Sequence, residues 1–289
     1  MIDLHCHTKV SDGSMPPFEL IRLAKLHGVT HLAITDHDTT QGVPESLRYG
    51  QMLGVEIISG IEISAHDYRR NHRAHILGLG VEAGHPVLEH LCRPLIEQRQ
   101  QASFETVERL REAGYNVTWD EVEKYAAGGT GVYKQHIMGV LVDHGYCRHI
   151  HSSLYRQLFG AANQNYPAGS ATVRLKHPDV LLAIAAVKAA GGVAVLAHPG
   201  LYHNFEAVTE WVDAGLQGIE AYHPDHTVSD MDMALTLAAR FNLVVTGGTD
   251  YHGIYDEKPR NLGCSKLDSK SIPLLKNRMN DYALCAQCG

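Results

Sequence analysis

The sequence predicts an α/β chain: a parallel, barrel-like sheet of seven strands interrupted by an all-helical insertion. Three observations predict it. Short β-branched or apolar runs alternate with helical patterns at both ends of the 289 residues. One link between strand candidates, Ala65–Arg73, is too short for a helical crossover. Residues 85–172 carry helical patterns and no strand pattern.

In chain order, Ile2–His7 reads as the first strand, Phe18–Leu26 as a helix with apolar spacing of three and four, and His31–Thr35 as the second strand. Val55–Ser64 and Ala74–Val81 follow as strands three and four. The short link between them forces an antiparallel pairing, which brings Glu62 and His75 to the same end of the sheet. Leu88, Leu91, Leu95, Val107 and Leu110 then fall on one face of a long helix. Helical patterns continue at Trp119–Tyr125, Tyr133–His144 and Ser152–Phe159, and the Gly/Ser/Pro-containing segment Asn163–Ser170 closes the insertion. The expected division is a barrel from residues 1–84 and 173–289, with a long helix plus helical lid at 85–172. Gly128-Gly129-Thr130-Gly131 lacks the spaced Gly-Lys-Ser/Thr of a phosphate loop and follows no strand, so it reads as an inter-helix turn. Ala189-Ala190-Gly191-Gly192 reads as a helix C-cap. Strands Val193–Ala197, Gly218–Tyr222 and Leu243–Thr246 then alternate with helices Val180–Ala190, Phe205–Ala214 and Met231–Phe241.

With 44% hydrophobic and 20% charged residues, the composition is that of a soluble globular protein. A formal charge of −7 argues against a basic duplex-binding surface. It does not exclude a phosphorylated substrate, because bound cations dominate the field of a pocket. Six cysteines are scattered, and Cys285 and Cys288 lack a second pair for a zinc site, so a loose tail with free thiols is expected. No basic-then-apolar leader precedes the first strand, and no apolar run approaches the roughly 18 residues of a membrane span. A cytoplasmic setting with reduced thiols is expected.

The chemistry sits in the 20 histidines. In Asp3-Leu4-His5-Cys6-His7-Thr8, His5 and His7 are two apart on a strand and share a side, with Cys6 facing away. Asp12 lies in the first loop, His37 after the second strand, and Glu62 at the end of the third. His75 starts the fourth strand, His198 ends the fifth, and Asp250 and His252 follow the last. All of these gather on one rim, where such barrels carry their sites. Imidazoles and carboxylates are the ligands of catalytic divalent metals, and burying them together without cations would be costly.

Asp-Leu-His-Cys-His-Thr, Ser11-Asp12-Gly13, Thr35-Asp36-His37-Asp38-Thr39, Gly60-Ile61-Glu62, the His75 strand, Ala-His198-Pro and Thr249-Asp250-Tyr251-His252 resemble the ordered motifs of the PHP (polymerase and histidinol phosphatase) family. The insertion resembles that of the TrpH/YciV-like branch, similar to nucleoside 3′,5′-bisphosphate phosphatases and 5′→3′ exoribonucleases. Lys134-Gln135-His136 stands where many relatives carry Arg-Pro-His. The resemblance implies a distorted (β/α)7 barrel of the amidohydrolase-like kind and up to three divalent metals. His5, His7, Glu62 and Asp250 would hold one ion, Glu62 would bridge to a second completed by His75 and His198, and Asp12, His37 and His252 would hold the third. The mixed donor set suits Mn²⁺ best, with Fe²⁺, Zn²⁺ or Mg²⁺ as alternatives. Asp3 and Asp36 would accept hydrogen bonds from ligand imidazoles, with a helix N-cap or turn former as the alternative for Asp36.

Clustered divalent ions imply phosphate-ester hydrolysis by a metal-bound hydroxide, with no covalent enzyme intermediate. Lys134, His136, Arg148, Arg174, Lys176 and His223 are the candidates for gripping phosphate, and His223 and His136 for proton transfer. Tyr202, Phe205 and Tyr222 could pack a base. The expected substrate is a small phosphorylated nucleotide, cleaved at the 3′-phosphate of a nucleoside 3′,5′-bisphosphate, or short single-stranded RNA trimmed from its 5′ end. No duplex, membrane or obligate protein partner is expected. Histidinol-phosphate hydrolysis, amide-bond hydrolysis, and a non-catalytic polymerase-accessory module are the alternatives.

Overall fold

The computed structural model describes residues 1–160, 169, 171, 173–263 and 266–286, with side chains through Met279. The first half runs β1 (Ile2–Asp3), α1 (Pro17–Leu26), β2 (His31–Ile34), α2 (Val43–Leu53), β3 (Glu56–Asp67), β4 (His72–Leu79). Four helices follow, α3 (Pro86–Glu112), α4 (Trp119–Tyr125), α5 (Lys134–Asp143) and α6 (Ser153–Phe159). The second half runs α7 (Val180–Ala189), β5 (Val193–Leu196), α8 (Pro199–Tyr202), α9 (Val208–Ala214), β6 (Gly218–Tyr222), α10 (Val228–Phe241), β7 (Val244–Gly247) and α11 (Ser271–Ala286). Short 3₁₀ turns stand at Phe205–Ala207 and Gly253–Tyr255.

The strands form one sheet in the order β1-β2-β3-β4-β5-β6-β7. All neighbours are parallel except those of β4, which opposes both β3 and β5. The short link is a hairpin, paired from Gly60↔Leu79 to Asp67↔His72. From β5 onward the chain resumes the common direction, so β4 opposes β5 as well. Beyond the ends of β1 and β7 the sheet meets itself. Leu4 N–H donates to Gly247 O at 3.1 Å, Asp250 N–H to His5 O at 2.8 Å and His7 N–H to Tyr251 O at 3.0 Å. The result is a nearly closed, mixed seven-stranded barrel.

Alternation along the strands sorts the core. Leu77, Leu79, Val193, Val195, Ile58, Ala33, Leu4 and Val244 come from strands all around the sheet and pack together as the lumen. Ile272 and Leu275 of α11 join that cluster, so the last helix packs against the barrel's core. Ile76, Ala194 and Leu196 face the other way and pack with α7, α9 and α10. The four helices after β4 have a core of their own, built from Val107, Leu110, Val122, Ile137, Met138, Leu141 and Leu158 among others.

Three local expectations differ. β1 stops at Asp3 rather than His7, because Cys6 N–H goes to the Thr35 hydroxyl (3.1 Å) instead of a backbone carbonyl. The helix α2 carries only Val43, Ser46 and Gly50 as buried positions and so has no readable apolar stripe. Gly50 is needed there because a Cβ would lie 2.3 Å from Ile57. The C-terminal segment, expected to be loose, is helical through Ala286; Cys264, Cys288 and the Cys285 side chain lie outside the described residues, as does most of Asn163–Ser170.

Candidate metal centre

Glu62, 1% exposed, is the hub. Its Oε2 lies 3.2 Å from His5 Nε2, 3.1 Å from His7 Nε2 and 3.3 Å from His37 Nδ1. Its Oε1 lies 2.8 Å from His75 Nδ1 and 3.0 Å from His198 Nε2. The hairpin register explains the His75 contact. Ser64 faces His75 directly, and Glu62, two residues earlier, shares that face. Asp250 Oδ1 is 3.1 Å from His7 Nε2 and 3.4 Å from His5 Nε2. Asp12 Oδ1 is 3.3 Å from His252 Nε2, and Asp12 Oδ2 is 3.9 Å from His37 Nε2. The structure therefore brings all nine expected metal-competent residues to one rim.

Ligand-capable atoms converge in three overlapping groups, each within 4.8 Å: His5/His7/Glu62/Asp250, His37/Glu62/His75, and His7/Asp12/His37/His252. The buried atoms His5 Nε2, His7 Nδ1 and Nε2, and Glu62 Oε2 make no hydrogen bond despite this closeness. Ligand-capable atoms are close together there without being paired as donor and acceptor. That geometry, with hard carboxylates and imidazoles and no thiolate, fits divalent cations.

The electrostatics agree. Burial depresses the His5 imidazole, but Glu62, Glu220 and Asp250 outweigh it and raise it well above its usual range. His7 behaves alike: burial is overcome by Asp250 and Glu62, and it is pushed up to about 10. Burial holds His37 down to about 4. Burial would raise Glu62, yet His37, His5 and His75 keep it well below the carboxylate range. Carboxylates this ionised attract protons or cations, and cation binding releases the protons.

The strand ends pay in backbone strain, with Asp38 (φ 60°), His198 (φ 24°) and Asp250 (φ 50°) in the left-handed region. For His198 this costs about 1–2 kcal/mol. The site compensates through a carboxylate that the sequence did not flag. Glu220 of β6 is fully buried, lies 3.2 and 3.3 Å from His5 Nδ1 through its two oxygens, and accepts His198 N–H at 2.8 Å. A lone carboxylate inside Gly-Ile-Glu-Ala-Tyr was the available signal. Arg260 was also missed; it donates to the carbonyls of Thr249 (2.7 Å) and Asp250 (3.2 Å).

Asp3 and Asp36 do not meet ligand imidazoles. Asp3 accepts from Thr249 and Gly263, and Asp36 from Thr8 and Ser11. Both tie neighbouring segments together instead. His223 is buried with Nε2 3.5 Å from Asp250 Oδ2, and its Nδ1 accepts Asp225 N–H (3.2 Å). His136 is buried; its Nδ1 accepts Tyr133 N–H at 3.1 Å, which caps its own helix. Neither lines the cavity beside the cluster, and neither does Arg148, which is exposed in the turn after α5. Lys176 lines a separate groove between α3 and α7.

That cavity, about 540 Å³, runs from Asp12, His37 and His75 to the helical insertion. Its wall includes Lys134 and Arg174, as expected, and Arg73 from the hairpin, which was not. No described carboxylate lies within ion-pair distance of these three cations. Tyr155, Phe159 and Tyr202 supply aromatic faces, whereas Phe205 and Tyr222 pack into the core.

The PHP domain family profile matches residues 3–173. The chain belongs to the PHP domain family. It is 40% identical over 257 residues (89% of this chain, 96% of the relative) to an Eggerthella lenta protein named phosphoribosyl 1,2-cyclic phosphate 1,2-diphosphodiesterase. It is 29% identical, covering 87% of each chain, to a 3′,5′-nucleoside bisphosphate phosphatase of Chromobacterium violaceum. A solved structure from Bifidobacterium adolescentis, assigned as a metal-dependent phosphoesterase, superposes with a TM-score of 0.85 at 30% identity, over 96% of both chains. The reaction class of this PHP protein is metal-dependent phosphoester hydrolysis. No helix among the described residues is long and apolar enough to cross a membrane.

Proposed function

We propose that this PHP protein hydrolyses a phosphate ester on a ribose that also carries a 5-phosphate. The observation that carries this is the cavity itself: a metal-competent cluster on one side, and Arg73, Lys134 and Arg174 without carboxylate partners on another wall. One anionic group meets the cluster while a second meets the cations. Phosphoribosyl 1,2-cyclic phosphate and nucleoside 3′,5′-bisphosphates both have this form. The 40% relative favours the cyclic phosphate of ribose. The nucleotide reading rests on Tyr155 and Phe159, whose rings lie 5.4 Å apart on the cavity wall and offer a face to a base.

In this reading His5, His7, Glu62, Asp250, His75, His198, Asp12, His37 and His252 hold up to three divalent ions, with Mn²⁺ favoured. Bound there, the ions would polarise the phosphoryl oxygens and lower the pKa of water. The chain's own residues do the rest. Glu220 keeps His5 Nδ1 occupied, leaving Nε2 as a donor to a cation. His223 is lowered by burial, and its Nε2 stands 3.5 Å from Asp250 Oδ2. The Tyr202 ring lies 5.0 Å from that of His75 and 5.4 Å from that of His198. Burial pushes its phenol up to about 12, so it keeps its proton and can give it to the leaving oxygen.

The test offers metal-loaded protein phosphoribosyl 1,2-cyclic phosphate, adenosine 3′,5′-bisphosphate, adenosine 3′-monophosphate, histidinol phosphate and a 5′-phosphorylated RNA dinucleotide. Released phosphate and products are followed. Turnover that requires the 5-phosphate supports the proposal. Equal turnover of adenosine 3′-monophosphate, or turnover of histidinol phosphate alone, refutes it.

A further inference from the structure

The inner and outer parts of the cluster are braced from different places. His5, Glu62 and Asp250 are held from within the barrel, by Glu220, by β3 itself, and by Arg260. Among the described residues, no hydrogen bond reaches these three from α3–α6.

The outer residues Asp12, His37 and His252 differ. Each sits on a loop that the helical insertion grips. Gln135 at the start of α5 donates to Asp12 Oδ2 at 3.0 Å, leaving Oδ1 toward His252. The same loop is gripped again at Val10, whose carbonyl accepts both the N–H (2.9 Å) and the hydroxyl (3.1 Å) of Thr130. Gly129 is what permits this approach, since a Cβ there would lie 2.6 Å from Lys9 O. His37 is followed by Asp38, which takes Arg99 Nη2 of α3 at 2.6 Å. The His252 loop is held through Tyr255, whose carbonyl accepts His151 Nε2 at 2.7 Å.

We propose that the helical insertion assembles the outer cation site: occupancy of His7/Asp12/His37/His252 depends on insertion contacts that the inner site does not need. The proposal rests on the metal-ligand reading above. Gln135 and His151 are then positioning residues that act through Asp12 and His252. A cavity closed by the insertion and an outer ion become one event, so a chain whose insertion is undocked keeps its inner ion and loses the outer one.

The test is Mn²⁺ binding followed by electron paramagnetic resonance titration and by metal analysis after gel filtration. It uses the wild-type chain, Gln135→Leu, His151→Phe, the double variant and Glu220→Gln. Gln135→Leu and His151→Phe should each weaken one class of ion by about tenfold or more. The double variant should lose one ion per chain, with the remaining affinity unchanged. His151→Gln, which keeps a donor toward Tyr255 O, should restore binding. Glu220→Gln should show the converse, weakening the inner class. Unchanged isotherms in the double variant, or equal weakening of every ion, would overturn the proposal. No binding by the wild-type chain would instead refute the metal-ligand reading beneath it. If one single variant unfolds, as circular dichroism would show, the other decides.

Discussion

Glu220→Gln is the sharpest perturbation of this centre, because it keeps shape and changes one atom. Two donors converge on this carboxylate, His5 Nδ1–H and His198 N–H, and Oε2 is placed to accept from both at 3.3 and 2.8 Å. A glutamine oxygen can replace Oε2. Its NH₂ then falls at the Oε1 position, 3.2 Å from His5 Nδ1, donor against donor. The imidazole escapes by moving its proton to Nε2, the atom that faces Glu62 and Asp250. That proton blocks the lone pair a cation needs. A hydrogen bond to a charged group contributes about 1.5–3 kcal/mol, and 1.4 kcal/mol is tenfold, so inner-site affinity should fall roughly 10–100-fold. The assay is kcat against free Mn²⁺. The activation curve should shift to higher metal with its plateau largely recovered, while the melting temperature of the chelated protein moves only a few degrees. An unshifted curve would show that Glu220 does not set the state of His5, and the positioning argument would fail.

Three further outcomes follow from the same geometry. Tyr202→Phe should lower kcat about 10²–10⁴-fold for an alkoxide leaving group while leaving metal content unchanged; an unaffected kcat removes Tyr202 from proton transfer. Burial, with Arg73 nearby, holds Lys134 down to about 8. A lysine lowered in this way is cationic below pH 8 and loses its charge as pH rises past it, so kcat/KM should decline above pH 8, and Lys134→Met should flatten that limb. Chelation should lower the melting temperature, since each site filled at about 100 times its dissociation constant adds about 2.7 kcal/mol; calorimetry with and without Mn²⁺ measures it.

The metal-competent rim was legible because its residues sit at strand ends, where a period of two and a short loop fix which side each faces. The Ala65–Arg73 link was enough to reverse β4 and bring His75 to Glu62. The insertion helices were legible through their apolar faces, and Trp119–Tyr125 falls at the expected bounds. What the sequence hid is of another kind. Glu220, Gln135 and Arg260 act through contacts between residues more than a hundred positions apart or through backbone carbonyls, and beyond the lone carboxylate of the sixth strand neither leaves a local pattern. Asp36 shows the converse. It lies in a motif beside His37, yet it binds Thr8 and Ser11, because neighbours along a loop need not share a face.

The reversed strand also explains why Glu62 and not another carboxylate is the hub. In an all-parallel barrel each strand offers the rim its C-terminal residues, and a ligand from β4 would arrive from a loop. Reversal presents the beginning of β4 instead, where His75 stands opposite Ser64 in the hairpin register, and the His75 carbonyl accepts Ala197 N–H at 3.0 Å on the other side. Glu62 thus has a strand neighbour, His75, toward Oε1 and the loop imidazoles of His7 and His37 toward Oε2. The two oxygens face differently constrained surroundings. Lengthening the hairpin tip at Tyr68–Asn71 leaves the register alone and should spare metal binding. Inserting one residue between Glu62 and Ser64 turns Glu62 to the opposite face. That chain should lose the ions of the two groups that contain Glu62, and an unchanged Mn²⁺ stoichiometry would show that Glu62 is not the shared ligand.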